Sequence, residues 1–400
     1  MNILYFQTAE PTFFDKESAR PMRIMNLIEA CEGDNLNFVV FTTDFYHQKK
    51  SHRKFVGSNK MYGDKFEFRF IHSPGYLNHM GFARIYDHFC LGVNVIRELL
   101  KLKQKPDLII IGYPPVFACF VLSLYSRWSK IPYIVDVKDQ WPDIFRRNGS
   151  QNFIKKLYIY ICGFAFKQIL NNASKIITIS NGFKDWIAGS YDIVNDNIEI
   201  VFLTRPNTND KHFNRESLVV TSKISLIFAG SITSVFNFDF LEGIDKIEWV
   251  TIVIFGLGPE LNMLKKKFGH YPNVNFGGFI SSDELSKRFL NANGLLAPYK
   301  NLSDFNSSIP NKIFDAIDFE LPILTTLGGD VKDLIENYDI GEVFTIENSD
   351  FRLVLRLFLE KINNNKYFNG FKNIKNEHLY DHDINYMKFK NIIYDCTVEK

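Results

Sequence analysis

The chain has 400 residues, of which 46% are hydrophobic and 23% are charged, and its formal net charge is +2 at pH 7. This composition excludes a chain that is disordered throughout, and the length exceeds one ordinary domain, so we expect a globular protein of two domains. Residues 1–200 hold 25 Lys and Arg against 19 Asp and Glu, and residues 201–400 hold 22 against 26, a basic excess too small to indicate a nucleic-acid-binding protein.

Cysteine and histidine positions give no sign of a disulfide framework or a metal centre. The cysteines, at positions 31, 90, 119, 162 and 396, form no Cys-x-x-Cys pair, and no histidine cluster with ligand spacing accompanies them. We therefore expect a reduced, cytoplasmic protein that holds no metal. The N-terminal sequence MNILYFQTAEPTFF predicts a first strand because it lacks the regions of a signal peptide, and no apolar run reaches the length of a membrane span.

In the first half of the chain, apolar segments rich in β-branched residues alternate with helical patterns. The predicted strands are NILYF, NFVVFTT, FRFI, DLIIIG, YIVDV, KIITIS and IEIVFL, and residues 82–103 and 152–172 are among the predicted helices. Alternation of this kind is typical of a doubly wound parallel sheet. We assign residues 1–205 to an N-terminal Rossmann-like domain.

The alternation stops in the polar stretch TRPNTNDKHFNRESLVVTSK and then resumes. The second set of predicted strands is ISLIFAG, WVTIVIFG, NVNFGG, GLLAPY, LPILTT and EVF. We assign residues 206–375 to a second Rossmann-like domain. Residues 376–400 predict a helix with one apolar face, which we expect to pack back on the N-terminal domain. The predicted fold class is therefore α/β, with two Rossmann-like domains.

The segment FIKKLYIYICGFAFK, residues 153–167, interleaves basic and aromatic residues. Such a pattern suits an anionic membrane surface, whereas a solvated helix face has the same composition. The sequence leaves both interpretations open.

Glycines follow three of the predicted strands in the second half, at the strand ends where ligands bind in open α/β sheets. Glycine lets the backbone approach a ligand closely. The dinucleotide fingerprint is missing, because FGLGPE continues with no third glycine in register, and this disfavours hydride-transfer chemistry. The residues at these turns are Gly230, Ser231, Gly256, Gly258, Gly277 and Gly278.

The segment SSIPNKIFDAIDFELPIL predicts a helix followed by a buried strand. Ser308 or Ile309 is expected at the N-cap, with Pro310 in the first turn. The backbone N–H groups there and Lys312 would attract an anion, and Asp315, one turn deeper, could accept hydrogen bonds from a diol. A phosphate and a ribose fit this pattern, and so does an ordinary capped helix with a surface lysine.

The order of these segments resembles the retaining glycosyltransferases of family 4, which have the GT-B fold of two Rossmann-like domains facing a cleft. The resemblance covers nearly the whole chain. The run DLIIIGYPPVF…IPYIVDVKDQWPD is similar to that of members acting on bacterial capsule and O-antigen, and ASKIITISNGFKDWI and RPNTND follow in the expected order. FAGSI, IFGLGPELNML, NVNFGGFISSDEL and PNKIFDAIDFELPIL then match the second domain in order and spacing.

By this resemblance, the helix near residue 310 holds a nucleotide sugar. Asp315 matches the second of two acidic residues of the family, which binds the ribose, whereas Ser307 stands where the first is expected. The Arg and Lys that many members place after the first glycine are also missing from GSITSVFNFDF. Lys312 is therefore our candidate for neutralising the leaving diphosphate, a charge that needs fixed donors or cations. The other candidate donor-binding residues are Gly230, Ser231, Gly256, Gly258, Phe279, Ile280, Ser307, Ser308, Asn311 and Arg205.

In the first domain, VDVKDQWP ends a predicted strand. Relatives carry His-Asp or Arg-Asp at the positions of Lys138 and Asp139. The resemblance implies that Asp139 holds the acceptor hydroxyl or the donor sugar, and that Lys138 lies near the sugar or the diphosphate. A salt-bridged strand end is the alternative.

The resemblance thus implies a retaining, metal-independent enzyme that moves a sugar from a nucleotide sugar, expected to be UDP-linked, to a glycan. The expected acceptor is lipid-linked, and the enzyme is expected at the inner face of the cell membrane. One alternative is a nucleotide-sugar 2-epimerase, which shares the fold. Another is a catalytically silent scaffold, because two charged features of the family are missing.

Overall fold

The computed structural model describes residues 1–15, 21–47, 49–54, 59–77, 81–147, 153–206, 223–346 and 350–398. The chain divides into two compact units, one made of Met1–Phe202 and Asp383–Lys400 and the other of Leu203–His382. The chain first passes from one unit to the other between Phe202 and Leu203, close to the predicted boundary after residue 205. Residues 207–210 of the RPNTND segment lie outside the described part of the chain.

The first unit is built on a parallel sheet. Its strands are β1 (Asn2–Phe6), β2 (Asn37–Thr43), β3 (Phe45–Tyr46), β4 (Ser51–His52), β5 (Asn59–Tyr62), β6 (Phe66–Ile71), β7 (Leu108–Tyr113), β8 (Tyr133–Val137), β9 (Lys175–Thr178) and β10 (Ile198–Ile200). Its helices include α1 (Arg23–Ala30), α2 (Phe82–Leu100), α3 (Val116–Ser129), α4 (Phe153–Asn171) and α5 (Asn181–Tyr191).

Among the described residues, eight strands form one sheet in the order β10-β9-β8-β7-β1-β2-β6-β5. Strand β5 pairs antiparallel with β6, and the other pairings in this sheet are parallel. Strands β7 and β8, with sequences LIIIGY and YIVDV, are buried along their whole length. Apart from Asp136 in β8 they are largely apolar, because a parallel strand between two helical layers has no solvent-facing side.

The second unit has a wholly parallel sheet. Within the described residues its strands are β11 (Ile224–Ala229), β12 (Val250–Phe255), β13 (Val274–Gly278), β14 (Gly294–Ala297), β15 (Ile323–Thr325) and β16 (Gly341–Val343), in the order β13-β12-β11-β14-β15-β16. Its helices are α6 (Leu261–Phe268), α7 (Ser282–Leu290), α8 (Ser303–Asn306), α9 (Asn311–Asp318), α10 (Gly329–Tyr338), α11 (Phe351–Asn363) and α12 (Lys366–Glu377). This strand order is that of a Rossmann fold.

The last helix, α13 (His382–Val398), belongs almost entirely to the first unit. Its buried residues Tyr386, Phe389 and Ile393 join the core cluster that contains Ile24 and Leu27 of α1. The C-terminal residues of the chain therefore complete the core that the first residues begin.

The predicted strands are all present, and the α/β class is confirmed. The small antiparallel ribbon of β3 and β4 and the edge strand β5 were not predicted. They have two to four residues each, too few to show a periodic pattern. None of the described helices combines the length and the apolar content that crossing a membrane requires.

Candidate functional site

The reversal of strand order in the second unit marks a candidate ligand site. In open α/β sheets, ligands bind outside the carboxyl ends of the strands at such a point. Here the reversal lies between β11 and β14. Gly230 directly follows β11, and the chain after β14 leads through α8 to the start of α9. The residues around these two segments are those that the sequence predicts for donor binding.

Helix α9 begins later than the sequence predicts. Pro310 occupies the N-cap with a ψ of 147°, and Asn311 is the first helical residue. The predicted N-cap at Ser308 or Ile309, with Pro310 in the first turn, is therefore wrong. The extended ψ of Pro310 keeps it outside the helix, and a residue before proline, here Ile309, also avoids the helical conformation. Lys312 consequently lies in the first turn of the helix.

The ammonium group of Lys312 lies in a cage of aromatic rings. Its Nζ is 4.2 Å from the ring centroids of Phe228 and Phe236 and 5.1 Å from that of Tyr299. A side-chain Cβ placed on Gly230 would lie 3.2 Å from Nζ. The amine therefore lies against the backbone immediately after β11, where a side chain in place of the glycine hydrogen would crowd it.

This amine is buried and lacks a hydrogen-bond acceptor among the described residues. Burial lowers the pKa of Lys312 to about 7, although Asp315 acts in the opposite direction. Aromatic faces attract a cation, but they do not replace its hydrogen bonds to water. A bound anion would supply those bonds and would favour the charged form of the amine.

Arg205 and Asp315 lie together near the same helix. Nη1 of Arg205 is 3.9 Å from Oδ1 of Asp315, and its Nη2 lies 3.4 Å from the hydroxyl oxygens of Ser282 and Ser286 at the start of α7. The guanidinium also stacks over Phe319 at 5.6 Å. The structure thus brings together Arg205 and Asp315, two of the residues that the sequence predicts for donor binding.

Gly256 and Gly258 are required by close packing of two loops. A Cβ on Gly256, whose φ is 137°, would lie 1.8 Å from the carbonyl oxygen of Gly230. A Cβ on Gly258 would lie 2.1 Å from the carbonyl oxygen of Ile232. Only glycine permits such contacts. These two glycines therefore hold the loop after β11 in position beside Lys312.

The remaining predicted donor residues follow β11, surround the start of α9 or follow β13. Ser307, Ser308 and Asn311 are half-buried around the start of α9, close in sequence to Lys312. Ser231 is exposed after β11. Phe279, which is 74% exposed, and Ile280 follow β13. They follow a strand that is not adjacent to β11, since β12 lies between β13 and β11 in the sheet.

Lys138 of the first unit belongs to a buried network of charges. Its Nζ pairs with Glu10 and lies 3.6 Å from Asp136. Asp136 also lies 3.4 Å from Nε of Arg23 and accepts a hydrogen bond of 2.9 Å from the hydroxyl of Tyr5. Burial alone would lower the pKa of Lys138, but Glu10 and Asp136 raise it above its ordinary value. This pairing matches the alternative of a salt-bridged strand end, since the ammonium is already neutralised by protein carboxylates.

Asp139 follows β8 at the same edge of the sheet and is half-buried. Burial raises the pKa of Tyr113, and the carboxylate of Asp139 adds to that rise, so Asp139 lies near the end of β7. Trp141 is buried beside it in sequence, with Arg84 stacked over its ring at 4.4 Å and His88 at 5.2 Å.

Sequence reasoning missed two polar residues of the first unit. Glu10 is buried and holds Lys138. Gln7, at the end of β1, is fully buried, and neither atom of its amide has a hydrogen-bond partner among the described residues. The strand order reverses between β1 and β7, so Gln7 lies where a ligand of this unit would bind. The polar QTAE that follows NILYF was the available signal.

Comparisons with known proteins agree with this architecture. The family model described as Glycosyltransferase Family 4 matches residues 22–202. Curated protein sequences give no match. Among solved structures, sucrose-phosphate synthase from Thermosynechococcus elongatus is similar, with a TM-score of 0.69 and 12% identity over 100% of both chains.

Two further solved structures are similar over nearly their whole length. WaaG, a glycosyltransferase involved in lipopolysaccharide biosynthesis, has a TM-score of 0.64 and 14% identity, covering 96% of this chain and 97% of its own. Anabaena HepE in complex with UDP-glucose has a TM-score of 0.63 and 12% identity, covering 99% of this chain and 100% of its own. The family-model match over residues 22–202 and these similar structures together indicate a glycosyltransferase with the GT-B fold.

Proposed function

We propose that the protein transfers a sugar from a UDP-sugar to a lipid-linked glycan during synthesis of a bacterial surface polysaccharide. It acts at the cytoplasmic face of the membrane, retains the anomeric configuration and uses no metal at the diphosphate. The observation that carries this proposal is the buried amine of Lys312, which points at Gly230 with no hydrogen-bond acceptor among the described residues. The proposed anion at this position is the diphosphate of the nucleotide sugar.

The donor site is assigned to the second unit. Lys312 and the first N–H groups of α9 receive the diphosphate, because both attract negative charge. Asp315 accepts hydrogen bonds from the ribose diol, and Arg205, 3.9 Å from that carboxylate, orients it. The similarity to HepE, whose structure contains UDP-glucose, supports uridine as the base.

The acceptor is assigned to the first unit. The bond between the anomeric carbon and the diphosphate oxygen breaks, and an acceptor oxygen bonds to the same carbon from the same face. The acceptor proton passes to a phosphate oxygen of the departing UDP, so no protein nucleophile is needed. Asp139 positions the acceptor hydroxyl or the sugar, and Lys138 acts as a positioning residue through Glu10 and Asp136.

Nucleotide titration tests the donor site. Calorimetry of the purified chain without metal is expected to show UDP binding in preference to GDP, ADP and CMP. Lys312→Met and Asp315→Ala should each weaken UDP binding by about tenfold or more, the free energy of a charge-assisted hydrogen bond. The control is Lys332→Met, since that lysine is half-exposed on α10. Binding of none of the four nucleotides would contradict the proposal and favour the scaffold alternative.

Three neighbouring helices of the first unit expose large apolar side chains. Helix α3 packs against both α2 and α4. Exposed apolar side chains in this number mark an interaction surface, and Lys155 and Lys156 add positive charge suited to anionic lipid. We assign this surface to the membrane that carries the acceptor. Its exposed residues are Phe82, Tyr86, Phe89, Trp128, Phe153, Ile154, Tyr160, Ile161 and Phe164.

Vesicle sedimentation tests the membrane surface. The wild-type chain is expected to bind phosphatidylglycerol vesicles more strongly than phosphatidylcholine vesicles. The double variant Phe153→Ser/Tyr160→Ser should bind about tenfold more weakly, because each ring loses its apolar burial in the interface. Leu353→Ser is the control, since Leu353 is 58% exposed on α11 of the other unit. Equal binding by the double variant and the wild type would show that these helices do not contact lipid.

A further inference from the structure

A cluster of three possible metal ligands lies in the first unit, outside the groups assigned above. Asp44 follows β2, His52 belongs to β4, and His72 follows β6. Each residue offers one ligand atom, and these atoms lie within 4.8 Å of one another. Three separate segments supply them, so their proximity is created by the fold. We expected a metal-free protein because the sequence shows no closely spaced Cys and His residues. A cluster built from three distant segments leaves no such pattern.

The carboxylate of Asp44 is fully buried. Its Oδ1 accepts a hydrogen bond of 3.1 Å from the N–H of Ser73, and its Oδ2 lies 2.8 Å from Nδ1 of His72. Among the described residues, its ion-pair partners are the two imidazoles. A buried carboxylate needs a compensating cation, and an imidazole is one only when it is protonated. The site therefore has a place for a further positive charge.

The hydrogen bonds of His52 set the direction of its lone pair. Its Nε2 lies 3.2 Å from the carbonyl oxygen of Pro74, which can only accept, so Nε2 carries the proton of the neutral ring. The lone pair on Nδ1 then faces Oδ1 of Asp44 at 3.4 Å, and two lone pairs in this arrangement repel. A cation between them removes the repulsion. An N–H donated to a backbone carbonyl is also the outer contact that metal-bound histidines usually make.

We propose that Asp44, His52 and His72 bind one divalent cation of the zinc class. Two imidazole nitrogens and one carboxylate oxygen suit Zn²⁺, whereas Mg²⁺ and Ca²⁺ prefer oxygen ligands. Ligand atoms around tetrahedral zinc lie about 3.3 Å apart, and the three ligand atoms here lie within 4.8 Å of one another, so a small movement of the rings would bring them to that spacing. The His52 and His72 side chains are 38% and 58% exposed, so the rings can adjust and water can fill the fourth position.

A bound ion would join the end of β2, the β3–β4 ribbon and the loop after β6. That loop is already tied to α2, because the N–H of Gly75 donates a hydrogen bond of 2.6 Å to Asp87. Crosslinking segments that are distant in sequence restricts the unfolded chain and stabilises the folded one. The ion is therefore assigned a structural role at this edge of the first unit, separate from the sugar-transfer chemistry proposed above.

Zinc titration tests the site. The full chain is dialysed against a chelator and then titrated with ZnCl₂ in a calorimeter, and Co²⁺ is added separately to record its visible absorption. We expect one tight equivalent of zinc, a d–d spectrum of nitrogen–oxygen coordination, and a rise in melting temperature with zinc. The double variant His52→Gln/His72→Gln should bind at least 100-fold more weakly and show no rise. His270→Gln, an exposed histidine of the other unit, should match the wild type.

Two results would overturn the proposal. One is the absence of zinc binding by the wild type, and the other is equal zinc affinity in the wild type and the double variant. Because both rings are partly exposed to solvent, the double variant should remain folded, and its melting curve without zinc checks this. UDP binding by the same variant, measured without zinc, is expected to be unchanged. Failure of the donor-site proposal and failure of the zinc site are therefore distinguishable.

Discussion

Replacing Lys312 with methionine is expected to lower the rate of sugar transfer by about 10²- to 10³-fold, the usual cost of removing one fixed group that stabilises developing negative charge. The same variant should be more thermally stable than the wild type. Its side chain stays among Phe228, Phe236 and Tyr299, but the unfavourable burial of an amine without an acceptor disappears. Release of UDP from the UDP-sugar and the melting temperature measure the two effects. A variant that is less stable and fully active would contradict this role.

The pH dependence of UDP affinity provides a second readout of the same residue. The pKa of Lys312 is lowered to about 7 by burial in the free protein, and a bound diphosphate raises it. Above pH 7, binding therefore takes up a proton, and UDP affinity should fall as pH rises, by at most tenfold per unit. Below pH 7 the amine is already charged and this contribution levels off. Lys312→Met should remove the slope between pH 7 and 9, and a flat wild-type profile would count against the assignment.

Replacing Arg23 with methionine is expected to lower the free energy of unfolding by about 3–5 kcal/mol, the cost of removing one partner of a buried ion pair. Arg23 is fully buried, lies 3.4 Å from Asp136, and donates hydrogen bonds of 2.7 and 3.3 Å to the carbonyl oxygens of Val201 and Phe202. The variant leaves the carboxylate of Asp136 and the two carbonyl oxygens without the guanidinium group. Equilibrium unfolding in urea, followed by circular dichroism, gives the free energy.

The matched control is Arg127→Met, because Arg127 is exposed near the end of α3 and such changes usually cost less than about 0.5 kcal/mol. Asp136→Asn in the Arg23→Met background should recover part of the loss, since it removes the buried carboxylate that has lost one of its two cationic partners. A loss below about 1 kcal/mol for Arg23→Met would show that the network contributes little to stability.

Most of the strands can be predicted from the sequence because they are parallel and buried. A segment such as DLIIIG must be apolar on both faces, and this makes β7 visible without any knowledge of its neighbours. The order of the strands in the sheet is harder to predict from single segments. The position of β1 between β2 and β7 depends on crossovers that the doubly wound pattern suggests but that no single segment encodes.

The candidate site was only partly predictable. The start of α9 and the glycine after β11 are local features, so Lys312 and Gly230 could be named from the sequence. The cage around Lys312 could not, because Phe236 and Tyr299 come from loops that become neighbours only in the folded unit. The pairing of Lys138 with Glu10 joins residues 128 positions apart. Sequence patterns give the chemical type of such groups, and tertiary structure decides whether they meet a ligand or each other.

The placement of α13 has a consequence for the order of events during synthesis. The second unit is one continuous stretch, Leu203–His382, whereas the first unit needs Asp383–Lys400 as well as Met1–Phe202. A ribosome therefore releases all of the second unit before it supplies Tyr386, Phe389 and Ile393, which fill the core beside α1. The unit whose translation begins first can therefore complete its core only after the whole second unit has been synthesised.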